Sequence, residues 1–238
     1  MILFTIGDSW TYGDELDNPY KESYPYLLSK KLNCRMVNYA VNGGSNDWMF
    51  RKTIEWVCSQ DNLNDVIIIV GWSGVNRREE NNKIYHGIHR NDEVDEFIFS
   101  RLSNNELDHY KSICYMVSLQ EFLKSKNIKY LFYQPWYDIV GCEDELFQLR
   151  EQHDKMKSLL KTDIRDEYDS SCYTRELTIG KIIDKIDKKY LVNPLKEDVK
   201  RILSSVYGRR KDGQPKMHPN QKDHKVMSEM LFERLSKI

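Results

Sequence analysis

The sequence predicts an α/β fold in which helices cover both faces of a mostly parallel sheet, and three observations carry that expectation. Apolar runs rich in β-branched residues at 1–6 (MILFTI) and 66–70 (VIIIV) lack polar alternation except at Thr5, as strands covered on both faces do, and 128–133 reads as a further strand. Segments with apolar residues at helical spacing alternate with these runs. Polar, glycine-bearing turns follow the runs at 1–6 and 66–70, and open α/β sheets bind their ligands just beyond strand carboxyl ends.

In chain order, the first strand delivers Gly7, Asp8 and Ser9 into a turn closed by Gly13. Asp14 to Glu22 reads as a polar loop, after which Ser23 can cap a helix with Tyr24, Leu27, Leu28 and Leu32 on one face. Pro25 fits that helix's first turn, where its missing N–H costs nothing. A short strand over Met36 to Tyr39 runs into a second loop, Ala40 to Asn46. The next helix turns Met49, Phe50, Thr53, Ile54 and Val57 inward.

Val66 to Val70 is the clearest buried strand and ends in Gly71, Trp72, Ser73, Gly74, Val75, Asn76 and Arg77. Polar sequence from Arg77 to Asp108 reads as an insertion over the sheet's carboxyl edge, a candidate lid. Leu107 to Lys126 has a repeat close to 3.6, and Ile128 to Tyr133 is the following strand. Helices are expected near Glu143 to Leu160 and Glu197 to Val206. The fifth strand has two candidates, Leu177 to Ile183 and Tyr190 to Val192. Last comes His218, Pro219, Asn220, then a helix with Val226, Met227, Met230, Leu231 and Leu235 inward. Asn220 stands at its N-cap and Asp223 at the capping-box position.

A chain of 238 residues suits one domain over 1–238, with insertions about 77–107 and 161–205. Lysine and arginine total 36 against 37 acidic residues, a formal net charge of -1, so no nucleic-acid or other highly charged partner is expected. Five scattered cysteines without Cys-x-x-Cys spacing argue against a disulfide framework or thiolate zinc site. His86 and His89 sit three apart without a convincing third ligand and read as a solvated pair. Arg209, Arg210 and Lys211 form a small basic run that reads as a solvated loop. The first apolar run is too short to span a bilayer, and no basic segment precedes it, so a soluble cytoplasmic protein without membrane association is expected. Oligomeric state is not legible.

Gly7-Asp8-Ser9-Trp10-Thr11-Tyr12-Gly13 resembles block I of the SGNH, or GDSL, hydrolases. The loop at Gly43 resembles block II, the segment from Gly71 to Asn76 resembles block III in part, and His218-Pro219-Asn220 resembles block V. The resemblance spans almost the whole chain in the family's order. It implies a flavodoxin-like three-layer α/β/α sandwich with a mostly parallel five-stranded sheet, and acyl-ester hydrolysis without metal or organic cofactor. By position it makes Ser9 the nucleophile, His218 the general base, and the Ser9 and Gly43 amides oxyanion donors. Asp8 corresponds to a residue that braces the loop.

The sequence departs from the family in two places. Block III usually carries an asparagine two residues after the glycine; here that position is Ser73, and Asn76 lies three residues further on, so either is a candidate oxyanion donor. The acid usual three residues before the histidine is replaced by Pro215, leaving Asp212 as the nearest upstream candidate for the triad.

Aromatic residues near the strand exits, Trp10, Tyr12, Trp72, Trp136 and Tyr137, could line a pocket for sugar rings or an apolar acyl group. Each taken singly is equally a rim or core residue. Together they lean the reading toward an acetyl ester of a carbohydrate. Two rivals stand beside it: a binding module on the same fold that has lost turnover, and an acyltransferase using the same acyl-enzyme.

Overall fold

A computed structural model describes residues 1–75, 77–80, 83–86, 105–134, 182, 184–192 and 218–238. Five parallel strands form the central sheet: β1 (Ile2–Gly7), β2 (Arg35–Asn38), β3 (Val66–Gly71), β6 (Lys129–Tyr133) and β7 (Leu191–Val192), in the spatial order β2-β1-β3-β6-β7. From β1 the chain steps outward to β2, then returns to the other side of β1 and continues outward through β6 to β7. Phe4 pairs with Val37 on one side and Ile68 on the other. The winding direction reverses between β1 and β3, so their carboxyl ends open the crevice that such sheets use for ligands.

Residue alternation along the strands sorts the core into two halves. Phe4, Ile6, Ile68 and Val70 face α4 (Asn46–Cys58) and α5 (Asn105–Ser125), packing on Met49, Val57, Ile113, Met116 and Leu123. Leu3, Ile67, Ile69 and Leu131 face α3 (Tyr24–Lys31) and α6 (Gln221–Leu235), against Tyr24, Leu28, Met227 and Leu231. The result is the three-layer α/β/α sandwich, with the sheet apolar on both sides. Each fully buried aliphatic or aromatic side chain contributes about 1.5–3 kcal/mol, so this double-sided core is the main stabilising feature.

Several expected elements shift in detail. The turn after β1 is a single helical turn, α1 (Ser9–Tyr12), and the polar loop that follows contains α2 (Pro19–Glu22). Ser23 occupies the N-cap position of α3 but makes no capping hydrogen bond with its side chain. At α6 the capping box is complete: Asn220 Oδ1 accepts from the Lys222 and Asp223 amides, and Asp223 Oδ2 accepts from the Asn220 amide at 2.8 Å.

The start of the expected lid is an antiparallel hairpin, β4 (Arg77–Glu80) and β5 (Lys83–His86). Among its described side chains, Arg77, Arg78 and Glu79 are half-buried and make polar bonds. Glu79 binds the Arg51 guanidinium and donates its amide to Asp47 Oδ2 at 3.0 Å, while Arg78 pairs with Asp108. The fifth strand is at Leu191–Val192, the second of the two candidates. The helices expected near 143–160 and 197–206, His89 and the 209–211 basic run lie outside the described residues. Among the described residues, no helix is long and apolar enough to cross a membrane, and Cys34, Cys58 and Cys114 are free thiols.

Candidate active site

Ser9 stands at the carboxyl end of β1, in the first position of α1, and is almost fully buried. Asp8 caps that turn, its Oδ1 accepting from the Trp10 amide at 3.0 Å. Gly13 closes it: with φ 90° the chain enters the left-handed region that glycine tolerates, and the Gly13 N–H donates to the Ser9 carbonyl at 2.9 Å. The hydroxyl-bearing residue is thus gripped on both sides by main-chain and side-chain bonds.

The geometry behind Ser9 explains two glycines. A Cβ on Gly7 would lie 2.1 Å from Thr11 Oγ1, and one on Gly71, in the adjacent strand, 2.3 Å from the same atom. Thr11 is fully buried, and Tyr24 Oη donates to its hydroxyl at 3.2 Å. The turn therefore folds back over the strand ends, wedging a threonine where only bare backbone leaves room.

His218 closes the arrangement from the other end of the chain. Its Nε2 lies 2.9 Å from Ser9 Oγ. With the ring proton on Nδ1, the serine hydroxyl donates to Nε2, the polarity a general base needs. His218 sits two residues before the Asn220 cap, so the capping box fixes where the imidazole is carried. The helix is anchored in turn by a buried bond from the Tyr24 amide to His224 Nδ1, at 3.1 Å. Burial, and then the neighbouring His218, pull the His224 pKa down to about 3, so this second imidazole is a neutral acceptor that belongs to the scaffold. Burial likewise pushes the Tyr24 and Tyr133 phenols well above their ordinary value, so both remain protonated.

Asp8 is fully buried. Its Oδ2 accepts from Ser73 Oγ at 2.8 Å and from Arg77 Nη1 at 2.9 Å. That network ties the ends of β1 and β3 to the base of the hairpin, matching the bracing role the resemblance implied. Asn46 continues it: Oδ1 accepts from the Ser73 amide at 2.8 Å, and Nδ2 donates to the Ser73 carbonyl and Ser112 Oγ, each at 3.0 Å. Both donors of Ser73 are turned inward, its hydroxyl to Asp8 and its amide to Asn46. Ser73 is therefore corrected from oxyanion candidate to part of the brace.

Gly43 lies in the loop before α4 with φ 74°, a left-handed conformation, and the following Gly44 amide donates to Val41 O at 3.1 Å. A Cβ on Gly44 would meet the Gly7 carbonyl oxygen at 2.8 Å, so this loop presses directly on the end of β1. Asn76, Asp212, Trp136 and Tyr137 lie outside the described residues. The aromatic expectations are corrected in two cases. Trp10 is buried in the core beneath α3 and α6, and Trp72 is fully buried, edge-on to Phe132 at 5.4 Å between centroids. Trp72 keeps the alternation of Ile68 and Val70, its amide still donating to Tyr133 O at 2.8 Å, and the α1 turn sets Trp10 in the opposite half of the core, so both rings enter the layers instead of the rim. Tyr12 is half-buried.

A pair of carboxylates near His218 went unseen in the sequence. Glu15 Oε1 lies 3.3 Å from His218 Nδ1, and Asp14 Oδ2 lies 3.8 Å from it. The available signal was two acids immediately after Gly13, the residue that reverses the chain behind the serine.

Among solved structures, the chain is similar to the psychrotrophic esterase EstA of a Pseudoalteromonas species, at 12% identity and TM-score 0.52, covering 99% of this chain and 97% of that one. It is similar to a member of the lipolytic G-D-S-L family from Veillonella parvula, at 16% identity and TM-score 0.52, covering both chains completely. An acetyl xylan esterase, AlAXEase, matches at 14% identity and TM-score 0.50 over 98% of each chain. At these identities the likeness establishes the fold. No curated protein matches the sequence significantly. Residues 14–149, more than half the chain, match a family of unknown function, DUF6071, and to that family the chain belongs.

Proposed function

We propose that this protein is a serine ester hydrolase, and the observation that carries the proposal is the 2.9 Å approach of His218 Nε2 to Ser9 Oγ at the sheet's switch point. Two polar groups 209 positions apart in sequence, brought together in a ligand-binding crevice, have the geometry of nucleophile and base. The G-D-S-L fold neighbours support the same reading.

In the first step, Ser9 Oγ bonds to the ester carbonyl carbon while its proton passes to His218 Nε2. The carbonyl π pair moves onto oxygen, and the resulting oxyanion is held by the Ser9 and Gly43 amides, with Asn76 as the third donor. The carbonyl re-forms as the C–O bond to the alcohol breaks, and the imidazolium returns its proton to the leaving oxygen. Water then attacks the acyl-enzyme, giving its proton to His218; that proton passes to Ser9 Oγ as the acid departs. No cofactor is required for this sequence.

The substrate reading is an acetyl ester of a carbohydrate, in keeping with the acetyl xylan esterase among the fold neighbours. The test is turnover of p-nitrophenyl acetate and an acetylated-sugar panel, with fluorophosphonate labelling mapped by mass spectrometry. Label on Ser9, and loss of both label and turnover in a folded Ser9→Ala variant, are expected. Removing a nucleophile costs on the order of a millionfold in kcat, so an unchanged Ser9→Ala variant would end the mechanism.

A further inference from the structure

The nitrogen of His218 that faces away from Ser9 has a chemical requirement of its own. For Nε2 to accept the serine proton, Nδ1 must carry one, and Nδ1 is buried without an aligned hydrogen bond among the described residues. A buried N–H needs an acceptor, and an imidazole that becomes a cation during attack needs a compensating charge.

We propose that Glu15 is the positioning carboxylate of His218, supplied by the loop behind the nucleophile instead of by the segment upstream of the histidine. The inference rests on the Ser9–His218 reading and adds the group that sets its tautomer. Glu15 Oε1 is 3.3 Å from Nδ1, and its side chain is 11% exposed; Asp14 is farther, at 3.8 Å, and 37% exposed, so Glu15 is both nearer and better shielded from water. At 3.3 Å the two atoms are within hydrogen-bond reach, and catalytic hydrogen bonds in unliganded sites commonly tighten only when substrate is bound.

The backbone gives independent support. Glu15 has φ 65°, a left-handed conformation that few residues other than glycine, asparagine and aspartate adopt. Gly13, two residues earlier, is also left-handed at φ 90°, and the Leu16 amide donates to the Gly13 carbonyl at 3.3 Å. Two reversals within three residues curl the loop under the imidazole. A non-glycine residue held there against its preference is the kind of local strain found where side-chain placement matters. Opposite the loop, Pro219 is buried and Asn220 is locked in the capping box, so the ring is held between a fixed helix start and these acids. Among the described residues, His224 on α6 also faces the ring; it is neutral and supplies no charge.

The experiment uses the full chain and reads two independent quantities, kcat and the His218 tautomer by 15N NMR. Glu15→Gln keeps the side-chain length and removes the charge. It is expected to cost on the order of a thousandfold in kcat with KM within about threefold, and to lose the Nδ1-protonated tautomer. Glu15→Asp should recover part of the rate. Glu15→Gly relieves the left-handed strain, so it should melt no lower than wild type while losing kcat, a split that a merely structural glutamate would not give.

Glu15→Gln turnover within about threefold of wild type, with the tautomer unchanged, would overturn the assignment. A larger loss in Asp14→Asn or Asp212→Asn than in Glu15→Gln would do the same. If the wild-type protein neither labels at Ser9 nor turns over ester, the hydrolase reading fails by itself. The tautomer measurement still decides the Glu15 contact in that case: loss of the Nδ1-protonated form in Glu15→Gln supports it, and no change overturns it.

Discussion

Replacing Gly71 by alanine tests whether the threonine wedge shapes the turn that carries Ser9. The new methyl would lie 2.3 Å from Thr11 Oγ1, and its next neighbour, Tyr24 Oη, is at an ordinary 3.5 Å, so the clash is with one atom. Thr11 is fully buried and branched at Cβ, which leaves it little rotational escape. Overpacking of this kind costs about 1–3 kcal/mol. Displacing the hydroxyl also breaks its bond to the Tyr24 phenol, adding about 1 kcal/mol, for a total of about 2–4 kcal/mol. Thr11→Ala alone leaves that phenol without its partner and costs about 1–3 kcal/mol. In the double variant the methyl introduced by Gly71→Ala occupies the space the hydroxyl vacated. Stability by urea unfolding should therefore show a favourable coupling of about 2 kcal/mol, well beyond the 0.5 kcal/mol or so seen for independent sites. Gly7→Ala provides the control. Its methyl would also meet Thr11 Cβ, at 2.6 Å, an atom that Thr11→Ala retains, so no rescue is expected there. Additive losses in the Gly71 cycle, or rescue at Gly7 as well, would refute the wedge.

Two further outcomes follow from the buried polar network. His224 has a folded-state pKa of about 3, below its unfolded value, so the unfolded chain takes up a proton first as pH falls. Stability is unaffected above about pH 6.5 and declines below it by up to about 1.4 kcal/mol per pH unit from this group. His224→Asn, which can still accept from the Tyr24 amide, should flatten urea-derived stability between about pH 6.5 and pH 4 relative to wild type; an unchanged slope would show that another group governs acid sensitivity. Arg77→Met removes the cation 2.9 Å from the fully buried Asp8 carboxylate and should cost about 3 kcal/mol or more. Arg51→Met, at a pairing with Glu55 and Glu79 on the half-exposed side of α4, should cost about 1 kcal/mol or less, and equal losses at the two sites would contradict the burial argument.

The central strands were legible because burial on both faces leaves them uniformly apolar, and β1 and β3 lie within a residue of their expected ends. β7 was ambiguous for a physical reason. It pairs only Leu191 and Val192 with Phe132 and Tyr133, too short a ladder to impose any pattern. The β4–β5 hairpin was illegible because Arg77 to Glu80 are all charged in sequence, and Arg78 and Glu79 are held by ion pairs with neighbouring helices, which hydrophobic periodicity does not register. Trp10 and Trp72 read as rim residues because they follow strand ends in sequence. Trp72, however, extends the inward alternation of β3 by one step and Trp10 is carried inward by the α1 turn, and their large apolar rings gain more by joining the layers. At the site, family order pointed to Ser9 and His218, and a glycine pair marked the neighbouring loop. Glu15 could not be found by proximity along the chain, since Asp212 is nearer to His218 in sequence; the left-handed turn at Gly13 and Glu15 brings the acid round in space.

The bond between the Tyr24 amide and His224 has a consequence for when chemistry can begin. Ser9 and His218 lie 209 positions apart in sequence, and the imidazole reaches its station only when α6 settles against α3. Under the proposed mechanism, a chain whose first strands have paired but whose α6 has not docked would be inert toward esters. Because α6 also covers Leu3, Ile67, Ile69 and Leu131, detaching it would open one half of the core as it parts the imidazole from Ser9, so under the proposed mechanism stability and turnover should be lost together.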